Sequence, residues 1–108
     1  MGLEVRVKFS AAPVLDWRGL LVDLAAAGRS ASVRMIDNLP AFPDESPPDG
    51  WREVRLGFAA GMVTVRRVDP DLACVVWGTA DPELTATQVA VAEALAGRGG
   101  GAVSPPPG

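Results

Sequence analysis

The side chains that most often carry catalysis are scarce in this chain of 108 residues. It contains no His, a single Cys and a single Lys, Lys8. Without His, neither a Ser–His nor a Cys–His nucleophile pair can form, and ordinary zinc clusters are excluded. No glycine-rich loop ends in Lys-Ser or Lys-Thr, so a phosphate-binding loop is excluded as well. We therefore expect no catalytic residue, metal or cofactor, and a non-enzymatic role is favoured.

Carboxylates are the groups with catalytic potential that remain. Asp44, Glu45 and Asp49 cluster in a proline-rich segment, with Asp37 upstream. Such a group could bind a divalent cation or provide an acid–base pair. However, the spacing lacks the alternating Asp and the terminal Glu of a calcium loop, and a solvated acidic loop explains the cluster more simply. An enzyme that works through carboxylates or arginines alone is the least favoured alternative.

Basic residues recur at alternate positions of the predicted strands. The polar face of the sheet should carry Arg6, Lys8, Arg34, Arg55 and Arg66, with Glu4 and Glu53 among them. This face would be locally basic on a chain of net charge −3, which itself argues against binding to nucleic acid or an anionic membrane. It could bind an anion or an acidic partner, or it could be a solvated face with cross-strand ion pairs. Trp77 is the one aromatic residue that could stack there.

Two aromatic residues accompany the proline-rich segment. Phe42 lies within it and Trp51 follows it directly. They could form an adhesive patch or the wall of a peptide groove, or they could fold down and close a small core beneath the loop. Trp17, in contrast, lies on the apolar side of a predicted helix and is expected in the core.

Alternating hydropathy indicates the strands that position these residues. Leu3 to Phe9, Glu53 to Phe58 and Met62 to Val68 alternate apolar and polar side chains, as half-buried strands do. Leu72 to Trp77 is apolar on both parities, so both of its faces should be covered, and Cys74 within it is expected to be a buried thiol.

A further strand, less regular than the others, is predicted over Ser32 to Leu39. Val33 and Met35 would share one face, with Arg34 and Asn38 on the other. The segment Pro40 to Gly50 contains four prolines and no periodicity, so it is predicted to be a loop.

Two helices are predicted. Pro13 to Ala27 carries apolar residues at helical spacing, and Gly28 would close that helix. Asp81-Pro82-Glu83 is typical of a helix start, because Asp caps the first turn and Pro fits its first position. Gly97 would end this second helix.

The elements predict an α+β domain over residues 1–97, followed by a Gly- and Pro-rich tail over residues 98–108 that is dispensable for folding. We expect a two-layer sandwich in the order β-α-β-β-β-β-α, with one mixed, mostly antiparallel sheet of about five strands and both helices on one face. The first helix would join two parallel strands by a right-handed crossover.

The functional expectation is a small cytoplasmic, non-enzymatic interaction or accessory domain. The absence of a secretory signal and of a long apolar run favours the cytoplasm, and the residue bias favours a bacterium with a GC-rich genome. Its partner would be a protein, either a second copy of the chain packed against the outer face of the fifth predicted strand or a different protein. The proline-rich segment could instead cover that face. An anion- or ligand-binding domain is the alternative. Candidate binding residues are Phe42, Trp51, Arg55, Arg66, Val75 and Trp77.

Overall fold

The computed structural model describes residues 3–11, 13–42, 45–77 and 81–104. The regular elements in these residues are β1 (Leu3–Lys8), α1 (Trp17–Ala26), β2 (Ser32–Ile36), β3 (Leu39–Pro40), β4 (Glu53–Phe58), β5 (Gly61–Val68), β6 (Asp71–Val76), α2 (Pro82–Gly99) and β7 (Ala102–Ser104).

The strands form one sheet in the order β3-β2-β4-β5-β6-β1-β7. Every pair of neighbouring strands is antiparallel. The α+β class is therefore confirmed, but the sheet of the described residues has seven strands rather than about five and contains no parallel pair. β1 and β2 point the same way, as the crossover requires, but β4, β5 and β6 lie between them because their hairpins fill the space.

Both helices pack on the same face of the sheet. Trp17, Leu20 and Leu24 of α1 and Val91 and Leu95 of α2 belong to one core cluster. The strand residues of that cluster all lie on the same face of the sheet, and they are Val7, Val33, Ile36, Val54, Leu56, Val63, Val65, Leu72, Cys74 and Val76. This is the helix side of the sheet.

Most of the core that the sequence predicts is buried on this helix side; the predicted members are Leu3, Val5, Val7, Phe9, Trp17, Leu21, Leu24, Val54, Leu56, Phe58, Val63, Val65, Leu84, Val91 and Leu95. Val5, Leu21, Phe58 and Leu84 are only partly buried there, and the side chain of Leu3 lies outside the described part of the chain. Gln88 is a polar member of the α2 stripe, and its Nε2 donates to the carbonyl of Cys74 at 2.8 Å. This hydrogen bond fixes α2 against β6, because a buried amide that lost its acceptor would be costly.

The helix boundaries follow from their caps. α1 begins at Trp17 rather than at Pro13, because the Asp16 side chain accepts the N–H of Gly19 at 3.0 Å and caps the first turn. Gly28, with φ +81°, closes this helix as expected. Asp81 caps α2 through the N–H of Leu84 at 2.8 Å.

The segment predicted as a tail contributes to the fold. α2 continues past Gly97 to Gly99, and Ala102–Ser104 pair with β1 as the edge strand β7. Glycine is needed at the connection, because a Cβ on Gly101 would lie 2.6 Å from both the Lys8 carbonyl oxygen and the Phe9 ring. Residues 105–108 lie outside the described residues.

A β-bulge changes the faces that were predicted for β2. Val33 pairs with Leu56 and Met35 with Arg55, so the register shifts between them at Arg34. Met35 consequently leaves the core face, and Ile36 takes its place against Val54. The prediction that Val33 and Met35 share a face is wrong, because a bulged strand no longer follows a period of two.

Candidate functional site

The face of the sheet opposite the helices, here called the open face, collects the basic residues that were singled out in the sequence. Neither described helix covers it. Its lateral rows follow from the strand register. One row reads Met35, Arg55, Thr64, Val75 and Glu4, and the next reads Glu53, Arg66, Ala73 and Arg6. Strand alternation also places Lys8 on this face, two residues after Arg6 of β1, and Trp77, two residues after Val75 of β6.

The centre of the open face has a floor of small side chains. Thr64, Ala73 and Val75 are only 1%, 0% and 4% exposed, although neither described helix lies above them. Arg66 and Trp77 reach toward each other across this floor, and the Arg66 Cζ lies 5.9 Å from the centre of the Trp77 ring. We call these two residues the side-chain cover. Because Arg66 and Trp77 flank the row of Thr64 and Val75, we infer that the Arg66 stem and the Trp77 indole shield this floor, while their polar ends stay in contact with solvent.

Arginine and glutamate side chains alternate around this floor. Glu53 is shared, since its Oε2 accepts from Arg66 Nε at 3.4 Å and its Oε1 accepts from Arg55 Nη2 at 3.5 Å. Arg6 Nη2 donates to Glu4 Oε2 at 3.0 Å. The Nε atoms of Arg6 and Arg55 are shielded from solvent and have no hydrogen-bond partner. One carboxylate therefore serves two guanidinium groups at the centre of the face, which leaves donor capacity unused.

The β-bulge brings a further guanidinium to the open face. A Cβ on Gly57 would lie 2.8 Å from Arg34 Nε and 2.9 Å from Arg34 Cγ. The absence of a side chain at Gly57 therefore lets Arg34 lie flat on the sheet.

The start of β4, which positions Glu53, is fixed by Asp37. The Asp37 carboxylate accepts the backbone N–H groups of Glu53 at 2.9 Å and Arg52 at 2.7 Å. These two hydrogen bonds lower the pKa of Asp37 below its usual value, because they stabilise the charged form. Asp37 and Asn38 have positive φ, 51° and 67°, which Asp and Asn adopt more readily than other side chains.

The candidate binding residues predicted from the sequence separate into two groups. Arg55, Arg66, Val75 and Trp77 come together on the open face. Phe42 and Trp51 do not join them. Whether the four bind a partner stays a prediction.

Trp51 is buried on the helix side. Its ring meets that of Trp17 edge to face, with 5.2 Å between centroids. Arg67 covers its other surface, with Cζ 4.5 Å from the ring centroid. Trp51 therefore closes a core beneath the proline-rich segment, one of the two alternatives considered for it, and it does not cover the open face.

Phe42 is 72% exposed. Its N–H donates to Glu45 Oε1 at 3.0 Å in a local turn. The idea that the proline-rich segment folds back so that Phe42 and Trp51 cover β6 is therefore wrong for both residues.

A cleft of about 500 Å³ opens at one end of the open face, and its walls are Gly50, Trp51, Arg52, Glu53, Arg66, Arg67 and Asp69. Its cations are already engaged in part. Arg67 stacks on Trp51 and donates from Nη2 to the carbonyl of Asp49 at 3.1 Å. The cleft mixes arginines with carboxylates and holds no paired nucleophile and base.

The acidic cluster and the cysteine were the remaining groups with chemical potential in the sequence. Among the described residues, no three His, Cys, Asp or Glu side chains come close enough to hold a metal ion. Asp44, one of the acidic loop residues, lies outside that described part. Cys74 is fully buried as expected, and burial raises the pKa of its thiol to about 12.

Some members of the open face were not singled out in the sequence. Met62 and Thr64 share the parity of Arg66, so strand alternation alone could have assigned them. Met35 could not be assigned in this way, because no residue type marks the bulge at Arg34.

Comparison of the chain with protein families, with curated proteins and with solved structures finds no match. In the described residues, no helix combines the length and the apolar character that crossing a bilayer would demand. A functional proposal therefore depends on the geometry of the open face.

Proposed function

We propose that this chain is a small non-enzymatic interaction domain that binds a partner protein through the open face of its sheet. The observation that carries the proposal is the side-chain cover, in which Trp77 is 54% exposed and lies beside Arg66 over a floor of small residues. The two helices protect the helix side, but in the described part of the chain only side chains protect the open face. A partner could contact this floor without any change in the backbone.

The chemical composition of the open face supports this proposal. Tryptophan, arginine and methionine are among the residues enriched at protein interfaces, and tryptophan and arginine are among those enriched in their hot spots. Trp77, Arg55, Arg66, Met35 and Met62 provide all three types on one surface. The domain would act in the cytoplasm of a bacterium, as the sequence leads us to expect.

Binding of a small anion by the same face is the second candidate. The shielded Nε atoms of Arg6 and Arg55, which lack an acceptor, favour it. However, these guanidinium groups lie on the open face of a sheet, and an open surface suits a macromolecule better than a small ligand.

A matched pair of variants tests the main proposal. Trp77→Ala removes the exposed indole from the open face, and Val22→Ala removes an exposed apolar side chain, 65% accessible, from α1. Each variant and the unmodified chain would be used to capture partners from a lysate of the source organism, with quantification by mass spectrometry. We expect a partner that the unmodified chain and Val22→Ala recover equally and that Trp77→Ala loses.

Equal recovery by all three proteins, or no specific recovery by any of them, would contradict the proposal. Sedimentation of the purified chain at micromolar concentration decides in parallel whether a second copy is the partner. Titration with phosphate and with citrate, followed by calorimetry, tests the small-anion candidate.

A further inference from the structure

The charges of the two sides of the molecule have opposite signs. The open face carries five cationic residues, Arg6, Lys8, Arg34, Arg55 and Arg66, and three carboxylates, Glu4, Glu53 and Asp71. Its net charge is therefore +2, whereas the whole chain has a net charge of −3. The rest of the chain holds five cations against ten carboxylates. The open face is therefore basic, and the rest of the molecule is acidic.

We infer that the partner bound by the open face is an acidic protein segment whose carboxylates engage Arg55 and Arg66. This inference rests on the function proposed above and names the chemistry of the partner. At present Glu53 is the one carboxylate between these arginines, with contacts of 3.4 and 3.5 Å. A carboxylate from a partner would accept hydrogen bonds from the remaining N–H donors of these arginines, because a guanidinium group can bind carboxylates through several N–H donors at once.

The unused donors support this chemistry. Arg55 Nε lies 3.5 Å from Glu53 Oε1 without forming a hydrogen bond, and Arg6 Nε has no acceptor. A donor shielded from water and left unpaired costs free energy. Binding of an acidic segment would reduce that cost as the guanidinium groups turn toward new acceptors.

A second copy of the chain fits this face poorly. A twofold axis would place one basic face against another, and like charges across an interface are unfavourable. A phosphate backbone also fits poorly, since the carboxylates of Glu4 and Glu53 lie within the face and Trp77 is its sole aromatic side chain among the described residues. An acidic segment with an apolar side chain matches both the positive charge of the open face and its exposed indole. Its carboxylates would bind the arginines, and its apolar side chain would contact Trp77.

The experiment titrates the isotopically labelled chain with a short peptide of glutamate and leucine, observed by NMR at low salt. A peptide with lysine in place of glutamate and a single-stranded oligothymidine serve as comparison probes. The indole N–H signal of Trp77 reports on the open face, and those of Trp17 and Trp51 report on the helix side, where both rings are buried. We expect the glutamate peptide to shift the Trp77 signal and to leave the other two unchanged.

Charge reversal tests the role of the arginines. Arg66→Glu acts on the open face, and Arg18→Glu makes the same change at an exposed position of α1. We expect Arg66→Glu to weaken the binding of the glutamate peptide about tenfold or more, and Arg18→Glu to change it by less than about twofold. Affinity should also fall as salt is added. A spectrum with native dispersion verifies that each variant is folded, and Arg55→Glu provides a second variant should Arg66→Glu unfold.

The inference is overturned if the lysine peptide binds as well as the glutamate peptide, if Arg18→Glu and Arg66→Glu weaken binding equally, or if the oligothymidine binds more tightly than either peptide. If the glutamate peptide fails to bind while Trp77→Ala still loses a partner from the lysate, the acidic partner is wrong and the interaction face stands. If both experiments fail, the proposed function is wrong as well.

Discussion

The two faces of the sheet bury their strand residues by different means. On the helix side, Leu56 and Cys74 have no exposed surface beneath the packed helices. On the open face, Val75 is only 4% exposed, yet what shields it is the side-chain cover of Arg66 and Trp77. Rotamers of surface side chains exchange within picoseconds to nanoseconds, whereas a packed helix leaves its site only by local unfolding. Equal burial can therefore represent a permanent core or a surface that a partner can reach.

The largest expected difference between the faces is in the free energy of unfolding. Leu56→Ala, on the helix side, should lower it by about 2–5 kcal/mol, because the cavity cannot collapse beneath the helices. Met62→Ala, on the open face, should change it by about 0.5 kcal/mol, as surface substitutions usually do. Urea denaturation of both variants measures the difference. Equal losses would mean that the assignment of residues to the two faces is wrong.

A smaller effect is expected where β7 closes the edge of the sheet. Gly101→Ala should cost about 1–3 kcal/mol, because the new methyl group would meet the Lys8 carbonyl and the Phe9 ring. Gly97→Ala in α2 is the matched control, since no atom lies within 4 Å of its added Cβ. It should stabilise the chain by about 0.5–1 kcal/mol, as alanine does in helices. If thermal melting shows Gly101→Ala to be neutral, β7 does not pack against β1.

The smallest effect concerns Asp37, which fixes the start of β4 and thereby Glu53 on the open face. Its pKa is lowered in the folded chain, so its contribution to stability is present above its unfolded pKa of about 3.9. That contribution is lost as the pH falls through the lower folded pKa. Asp37→Asn tolerates the same positive φ and removes the charge. We expect it to be less stable than the unmodified chain at neutral pH and equally stable in strong acid.

Urea denaturation across the pH range would measure this convergence. A stability difference between Asp37→Asn and the unmodified chain that does not change with pH would show that the carboxylate charge plays no part in fixing β4.

The composition of the open face could be predicted from the sequence because it depends on a local pattern. Period-two alternation in β1, β4 and β5 assigns Arg6, Arg55 and Arg66 to one parity, and register then aligns the strands. The same argument failed at Met35, because a bulge at Arg34 interrupts the period. Local pattern is informative only where each strand remains regular.

Other features depend on contacts that are distant in the sequence. Ala102–Ser104 has only Val103 as a large apolar residue, so nothing local marks β7 as a strand, and its pairing depends on the free edge of β1. Trp51 could be assigned to the core only after Trp17 and Arg67 were placed on either side of its ring. The side-chain cover likewise depends on the rotamers of Arg66 and Trp77. Arg66 lies on β5 opposite Ala73, four residues before Trp77. The hydropathy pattern contains no information about these rotamers.

The accessibility of two neighbouring positions of β6 to a thiol reagent tests the central claim most directly. Cys74 faces the helices and Val75 faces the side-chain cover, and both are nearly inaccessible to solvent. The unmodified chain provides the first thiol, whose pKa burial raises to about 12. Val75→Cys in a Cys74→Ala background provides the second. Each protein would be treated with a maleimide at neutral pH over a series of urea concentrations below the unfolding transition.

We expect the thiol introduced by Val75→Cys to react in the native protein at a rate that urea barely changes, because side-chain motion alone exposes it. The thiol of Cys74 should react only through unfolding, at a rate that rises steeply with urea. Equal protection of the two thiols, with the same dependence on urea, would contradict the claim that the open face has a displaceable cover.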